Sequence, residues 1–265
     1  MSHSLITQAH IDTYQQDGVV LVKGLFRSFV ETLKAGIEAN MTSPGKYAAE
    51  NLQADESGRF FDDYCNWRRF VEFENTVWQS PAAAVAAALM QSKRVQMFHE
   101  HVLVKEPGTS KPTPWHQDSP YYFVEGEQTV SFWCPLDSVE EATLRCVAGS
   151  HRWKKPVLPT RWLKEDNFYL ESSAYMPVPD PDGEAMNIVE WPMQPGDAVA
   201  FNFRTLHGAR GNLSAIRRRA FSLRLIGDDA RFVQRPGPTS PPFSGHGMKS
   251  GQILREDWFP LLFTA

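Results

Sequence analysis

The sequence predicts a mainly β fold, a barrel or sandwich with flanking α-helices. Three observations carry this. From about residue 95 onward, short runs rich in Val, Phe and Trp alternate with clusters of Pro, Gly and Asp. Before that point the apolar residues follow helical spacing. No internal repeat or low-complexity linker interrupts the 265 residues, so one domain holds both parts.

Ile11 to Asp17 reads as the end of a short polar helix, broken by Gly18. Val19-Val20-Leu21-Val22 follows as a strand. Phe26 to Asn40 is helical, with Phe29, Leu33 and Ile37 four apart on one face, and Ser43-Pro44-Gly45 ends it. Thr76 to Gln91 reads as one alanine-rich helical segment with Pro81 near its start. Val95 to Lys105, Thr129 to Leu136, Asn187 to Trp191, Ala198 to Phe203 and Ala220 to Ile226 read as strands. The proline-containing loop from Lys154 to Glu184 is long for a compact domain: a lid, or equally a surface insertion. The expected division of the single domain 1–265 is N-terminal helices over about 1–92, a β core over about 93–235 and a C-terminal tail over about 236–265.

Hydrophobic residues make up 42% of the chain, enough to bury a core and to disfavour disorder. The net charge of −4 and a basic run of only Arg217-Arg218-Arg219 provide no stripe for a nucleic acid. Cys65, Cys134 and Cys146 are widely spaced and odd in number, which suits thiols in a reducing compartment rather than a disulfide framework. Met1 to Tyr14 has no apolar signal-like run, and no stretch of about 18 apolar residues exists. The expectation is a soluble cytoplasmic protein, monomer or homodimer, with a small-molecule substrate and no membrane or nucleic-acid partner.

Among eight histidines the informative one is His116, in Pro114-Trp115-His116-Gln117-Asp118. On an extended segment, His-X-Asp points both side chains to the same face. One further histidine completes a 2-His-1-carboxylate facial triad, which leaves positions open on the metal. The candidate is His207, which follows the predicted strand Ala198 to Phe203. Gly208 behind it permits close backbone approach. A turn near Gly211-Asn212 then leads to Arg217-Arg218-Arg219. Period two lets one of these arginines face inward, where it can fork onto the distal carboxylate of an α-keto acid. Periodicity does not choose among the three.

These residues resemble the phytanoyl-CoA dioxygenase family of iron(II)/2-oxoglutarate oxygenases. The resembling stretches are Lys105-Glu106-Pro107-Gly108, Thr113 to Asp118, Trp133-Cys134-Pro135-Leu136-Asp137, Val147 to Arg152, Pro195-Gly196-Asp197 and His207 to Asn212. The opening Asp17-Gly18-Val19-Val20 is similar too. The resemblance implies a double-stranded β-helix (a jelly roll, cupin-like) backed by N-terminal helices. It implies Fe(II) on His116, Asp118 and His207, these three being also the catalytic set. It selects Arg218, eleven positions after His207, for the distal end of 2-oxoglutarate, with further contacts at Trp133 and His101. At His101 the chain departs from the family, where this position is often apolar. The retained Asp118 favours hydroxylation over halogenation, because halogenases of this superfamily carry a small residue there. O2 is the second co-substrate, and ascorbate is expected to support activity. A cupin-like metalloenzyme that does not use 2-oxoglutarate, and a silent metal-binding or sensing protein on the same barrel, are the competing classes.

For the substrate, Asn66 and Trp67 fall within a polar-aromatic segment, Phe61 to Arg69, that can cover a barrel mouth. Tyr121 and Tyr122 follow the metal motif and can flank a pocket. No strongly basic surface for a coenzyme A phosphate is evident, so a small polar or amphipathic metabolite fits at least as well as an acyl-CoA.

Overall fold

The computed structural model describes residues 5–52, 55–164, 166–170 and 173–265. Helix α1 (Gln8–Asp17) leads into strand β1 (Val19–Val22). The joint is Gly18, at φ 72°, whose N–H caps the Tyr14 carbonyl. A Cβ there would lie 2.3 Å from the His151 ring, so glycine is required on both conformational and packing grounds. A 3₁₀ turn (Arg27–Phe29) opens helix α2 (Val30–Thr42). Strands β2 (Ala49–Glu50) and β3 (Phe60–Tyr64) follow, then helices α3 (Val71–Gln79) and α4 (Ala82–Met90). The segment expected as one helix over Thr76 to Gln91 is therefore two. Ser80 is extended (φ −73°, ψ 157°) because the following Pro81 disfavours a helical residue before it and has no N–H to continue the ladder.

The β core comprises β4 (Arg94–Lys105), β5 (Thr113–His116), β6 (Val124–Glu125), β7 (Thr129–Pro135) and β8 (Leu144–Val147). It continues with β9 (Ile188–Val189), β10 (Ala198–Phe201), β11 (His207–Ala209), β12 (Arg218–Ile226) and β13 (Arg231–Phe232). The last strand is β14 (Leu261–Thr264). The large sheet has the order β1-β10-β7-β12-β4-β3-β2, with β14 also pairing β4. The smaller sheet runs β5-β11-β8-β9. Every pairing between these named strands is antiparallel, and two such sheets face to face make the double-stranded β-helix. Because β1, β3 and β14 belong to the large sheet, the expected boundaries near 92 and 235 do not separate layers of the fold.

Period two builds the layers. Val102, Val104, Phe132, Cys134, Phe221 and Leu223 face outward, where Leu33 and Ile37 of α2, Phe73 and Val77 of α3 and Leu89 of α4 cover them. The alternate positions Leu103, Trp133, Val199, Phe201 and Ala220 face inward, against Leu144 and Cys146 of the small sheet. Polar residues that share this inward parity are held between the sheets, and there the site forms.

One outward position breaks the apolar pattern. Glu100 is fully buried, with Oε1 accepting the Asn66 N–H and Oε2 without a partner. Burial pushes its carboxyl up to about 8, only partly offset by the backbone N–H donors of Asn66 and Trp67. The folded chain therefore holds a proton there that the unfolded chain releases above the usual carboxylate value. Stability should fall as pH rises from about 4.5 to about 8. Glu100→Gln is expected to remove that slope and to gain on the order of a few kcal/mol over wild type at the alkaline end. Thermal melts of both proteins across the window would check it; parallel pH profiles would refute it.

Candidate metal centre

His116 and His207 are direct cross-strand partners, the last residue of β5 opposite the first of β11. Their rings lie 4.1 Å apart, centroid to centroid. The close pairing of these strands depends on Gly208, where a Cβ would sit 3.0 Å from the Thr113 carbonyl oxygen. Asp118 lies two residues beyond His116, where the chain leaves β5. Its Oδ1 is 3.9 Å from His116 Nε2 and 4.0 Å from His207 Nε2. The donor atoms of all three residues fall within 4.8 Å of one another, and all three side chains are buried.

Each imidazole is fixed in the same way. His116 Nδ1 donates to the Pro114 carbonyl at 2.7 Å, and His207 Nδ1 donates to the Thr205 carbonyl at 2.9 Å. In both cases the bond places the proton on Nδ1 and leaves the Nε2 lone pair facing Asp118. Burial, and for His116 also the neighbouring His207, keeps the rings neutral: His116 is driven down to about 3 and His207 is lowered too. Asp118 shows the opposite balance. Burial raises its pKa, but Arg224, His207 and His116 outweigh that and hold the carboxyl well below its usual range. Two neutral imidazoles and one carboxylate, converging with lone pairs free, suit a divalent transition metal.

Sequence reasoning missed the residues that orient Asp118. Ser131 donates to Asp118 Oδ2 at 2.9 Å, and Arg224 Nε lies 3.4 Å from the same oxygen. Ser131, Arg224 and His99 form one row across β7, β12 and β4. Counting inward positions by two from Arg218 reaches Arg224, but the register that sets it behind Asp118 is not legible in the chain. With Oδ2 engaged, Oδ1 is presented to the histidines. Arg224→Met is expected to weaken metal affinity by about 10- to 100-fold, the usual effect of losing an outer partner. Titration with iron(II) under anaerobic conditions would measure it.

Arg218 opens β12 opposite Lys105 of β4. Its guanidinium is buried, donates to the Ala142 carbonyl at 3.1 Å, and has an unpartnered Nε. It lies over the Trp133 ring at 5.6 Å. Burial alone lowers its pKa to about 10. Lys105, also fully buried, donates to the Lys111 and Arg210 carbonyls and lies 4.3 Å over the Phe60 ring, and burial with the nearby Arg218 charge pushes it down to about 5. No carboxylate pairs with either side chain among the described residues. A desolvated guanidinium without a counter-ion, beside an amine that burial drives to its neutral form, fits an acidic ligand. Arg218, Trp133, His101, Ser222, His116 and His207 line one narrow pocket that joins this end of the barrel to the triad. Arg217 and Arg219 instead face outward onto Glu38, Glu106 and Asp137.

A larger cavity of about 200 Å³ opens beside His116 and Asp118. Tyr121 and Tyr122 line it, as does His101. Tyr121 also pins the long loop, its hydroxyl donating to the Thr160 carbonyl at 2.6 Å and accepting the Thr160 N–H at 2.8 Å. Thr160, Arg161, Trp162 and Phe168 of that loop form one wall, so this part of Lys154 to Glu184 covers the site. Asn66 and Trp67 are placed elsewhere. Asn66 is tied to Glu100 and Arg69, and Trp67 packs against Trp78 in the helical layer. Of the segment Phe61 to Arg69, Asp62 and Tyr64 reach the cavity instead, because β3 alternates faces.

Fold and site together define a jelly-roll protein with a His-Asp-His cluster that could hold a metal ion. The chain belongs to the phytanoyl-CoA dioxygenase family, whose model matches residues 14–220. It is similar to a phytanoyl-CoA dioxygenase of Arabidopsis thaliana, 24% identical over 159 residues, covering 59% of this chain and 53% of the relative. A probable phytanoyl-CoA dioxygenase of Caenorhabditis elegans is 27% identical over 203 residues, covering 74% and 60%. The chain thus spans between half and two thirds of the length of these relatives. Among solved structures, the non-haem α-ketoglutarate-dependent carbocyclase SnoK from nogalamycin biosynthesis superposes with a TM-score of 0.75 at 22% identity, covering 97% of this chain and 96% of that one. The epimerase SnoN, in complex with Fe3+, α-ketoglutarate and nogalamycin RO, gives 0.77 at 20% identity, covering 96% and 98%. No helix among the described residues is long and apolar enough to cross a membrane.

Proposed function

We propose that the chain is an iron(II)- and 2-oxoglutarate-dependent dioxygenase that hydroxylates a C–H bond of a small molecule. The observation that carries this reading is the buried Arg218, a cation without a carboxylate partner among the described residues, in the same pocket as a neutral-His, ionised-Asp triad. His116, Asp118 and His207 would hold the iron, and Arg218 with Trp133 would hold the far carboxylate of 2-oxoglutarate. Iron bound there, with 2-oxoglutarate chelated, supplies activation of O2 coupled to release of succinate and CO2 and to oxidation of the substrate. Everything else is positioning by the protein. The Pro114 and Thr205 carbonyls fix the imidazoles, and Ser131 and Arg224 turn Asp118. The loop residues Thr160, Arg161, Trp162 and Phe168 limit solvent over the cavity.

SnoN, with its bound α-ketoglutarate and nogalamycin RO, supports a small-molecule substrate for this chain. Its activity and that of SnoK also show that the same co-substrate serves epimerisation and carbocyclisation, so the retained Asp118 favours hydroxylation without excluding another oxidation. Ascorbate is expected to sustain turnover, and a cytoplasmic setting accords with the three free thiols. The test is anaerobic addition of iron(II) and then 2-oxoglutarate, followed by a succinate-release screen over a metabolite library. A metal-to-ligand charge-transfer band and substrate-stimulated succinate are expected. Bound iron with neither would sink the reading.

A further inference from the structure

Six aromatic rings, those of Tyr47, Tyr64, Tyr121, Tyr122, Trp162 and Phe168, wall the larger cavity. Most polar groups there are engaged with one another. The Tyr64 hydroxyl and Ser240 Oγ are 2.9 Å apart, Tyr121 is bound to Thr160, and Tyr122 accepts from Arg224. His101 differs. Its Nε2 lies 2.7 Å from Asp62 Oδ2, and the other carboxylate oxygen of Asp62 accepts Asn51 Nδ2 at 2.7 Å. The ring is stacked at 16° with Trp162 and meets the edge of Tyr64 at 5.2 Å. His101 and Asp62 are only 8% and 6% exposed. Yet His101 Nδ1 has no protein partner among the described residues, and the ring lines the cavity.

The chemistry of that nitrogen restricts what it can meet. An ionised carboxylate only accepts, so Nε2 carries the proton shared with Asp62. Nδ1 is then an acceptor in the neutral ring and a donor in the protonated ring. A hydroxyl satisfies either state, because it both donates and accepts. An ether or a carboxylate satisfies only the protonated state. Charge points the same way. Of the two arginines lining the cavity, Arg224 directs Nε to Asp118 and Tyr122, and Arg161 is partly exposed and pairs with Asp166 at 3.2 Å. Flat aromatic walls favour a ring.

Resting on the function proposed above, we propose that the His101–Asp62 pair is a substrate subsite rather than a co-substrate contact, and that it takes a hydroxyl group on an uncharged, ring-containing substrate. The test uses three probes, 2-naphthol, 2-methoxynaphthalene and 2-naphthoate, titrated calorimetrically into the full chain. The anaerobic iron(II)–2-oxoglutarate form and the metal-free form are both measured. 2-Naphthol is expected to bind about tenfold more tightly than the methyl ether, as one added hydrogen bond gives. His101→Phe should abolish that preference, and His101→Gln should keep part of it. Equal binding of naphthol and its ether to wild type overturns the proposal, and needs no variant to fold. Tighter binding of naphthoate overturns it too, and moves the polar contact to the unpartnered Nη1 of Arg224. The charge-transfer band separates the two readings. If it is absent from wild type, the dioxygenase reading fails while the probe ranking in the metal-free chain still judges the subsite. If His101→Phe weakens the band's 2-oxoglutarate dependence, His101 serves the co-substrate and the subsite is refuted.

Discussion

Asp118→Ala is expected to eliminate iron binding and to reduce succinate release by more than about 100-fold, beyond the range typical of outer-partner losses. The physical reason is that Asp118 is the one anion of the triad. His116 and His207 are neutral ligands, so without the carboxylate nothing offsets the metal's charge in a buried site. The substitution has a second consequence, through Arg224. That guanidinium is buried and lies 3.4 Å from Asp118 Oδ2, with an Nη1 unpartnered among the described residues. Removing the carboxylate leaves a buried cation uncompensated, which typically costs about 3–5 kcal/mol. Asp118→Ala should therefore melt well below wild type even when no metal is added. Combining it with Arg224→Met should restore much of that stability and none of the iron binding. Thermal melts with a parallel metal titration separate the two effects. Retained iron affinity in Asp118→Ala would refute the ligand assignment.

The triad was legible because its signals are local or punctuated. His-X-Asp suggested a shared face by strand geometry, and although β5 ends at His116 and Asp118 opens the next turn, its carboxylate still meets both histidines; Gly208 marks the close approach of β5 and β11. Arg218 needed more than periodicity, since Arg217 and Arg219 carry the same charge. The family spacing singled it out, and its burial opposite Lys105 now gives the physical reason. What escaped the sequence depends on register. Ser131 and Arg224 meet Asp118 only because β7 and β12 pair as they do, and no residue in either strand announces that row. Phe60–Tyr64 was hidden by its setting among helices, although its alternation brings Asp62 and Tyr64 to the cavity. The same gap explains Asn66 and Trp67. A polar-aromatic stretch was visible, but whether its side chains turn toward the barrel or the helices is set by the turn after β3, where Cys65 takes a positive φ of 64°.

Arg218→Met is expected to act with opposite sign on two measurements. Toward 2-oxoglutarate it removes the guanidinium of the narrow pocket that has no carboxylate partner among the described residues, the other arginine there, Arg224, being turned to Asp118 and Tyr122. Truncating one partner of a buried charge pair costs about 2–5 kcal/mol, so affinity should fall by roughly 30- to several-thousand-fold. Toward the ligand-free fold it should be stabilising. Arg218 is charged and desolvated there, compensated by one carbonyl at 3.1 Å and by the face of Trp133. Burial depresses its pKa from 12.5 to about 10, so the folded state bears a penalty for the cation that a methionine of similar length would not. Ligand-free Arg218→Met should thus melt above wild type, and the order should reverse when both are saturated with iron and 2-oxoglutarate, because only wild type gains strongly from the ligand. A purely structural arginine would destabilise the free protein on removal and leave no crossing. The crossing depends on Arg218 being held in the barrel as a cation awaiting its anion, and melts with and without 2-oxoglutarate are sufficient to see it.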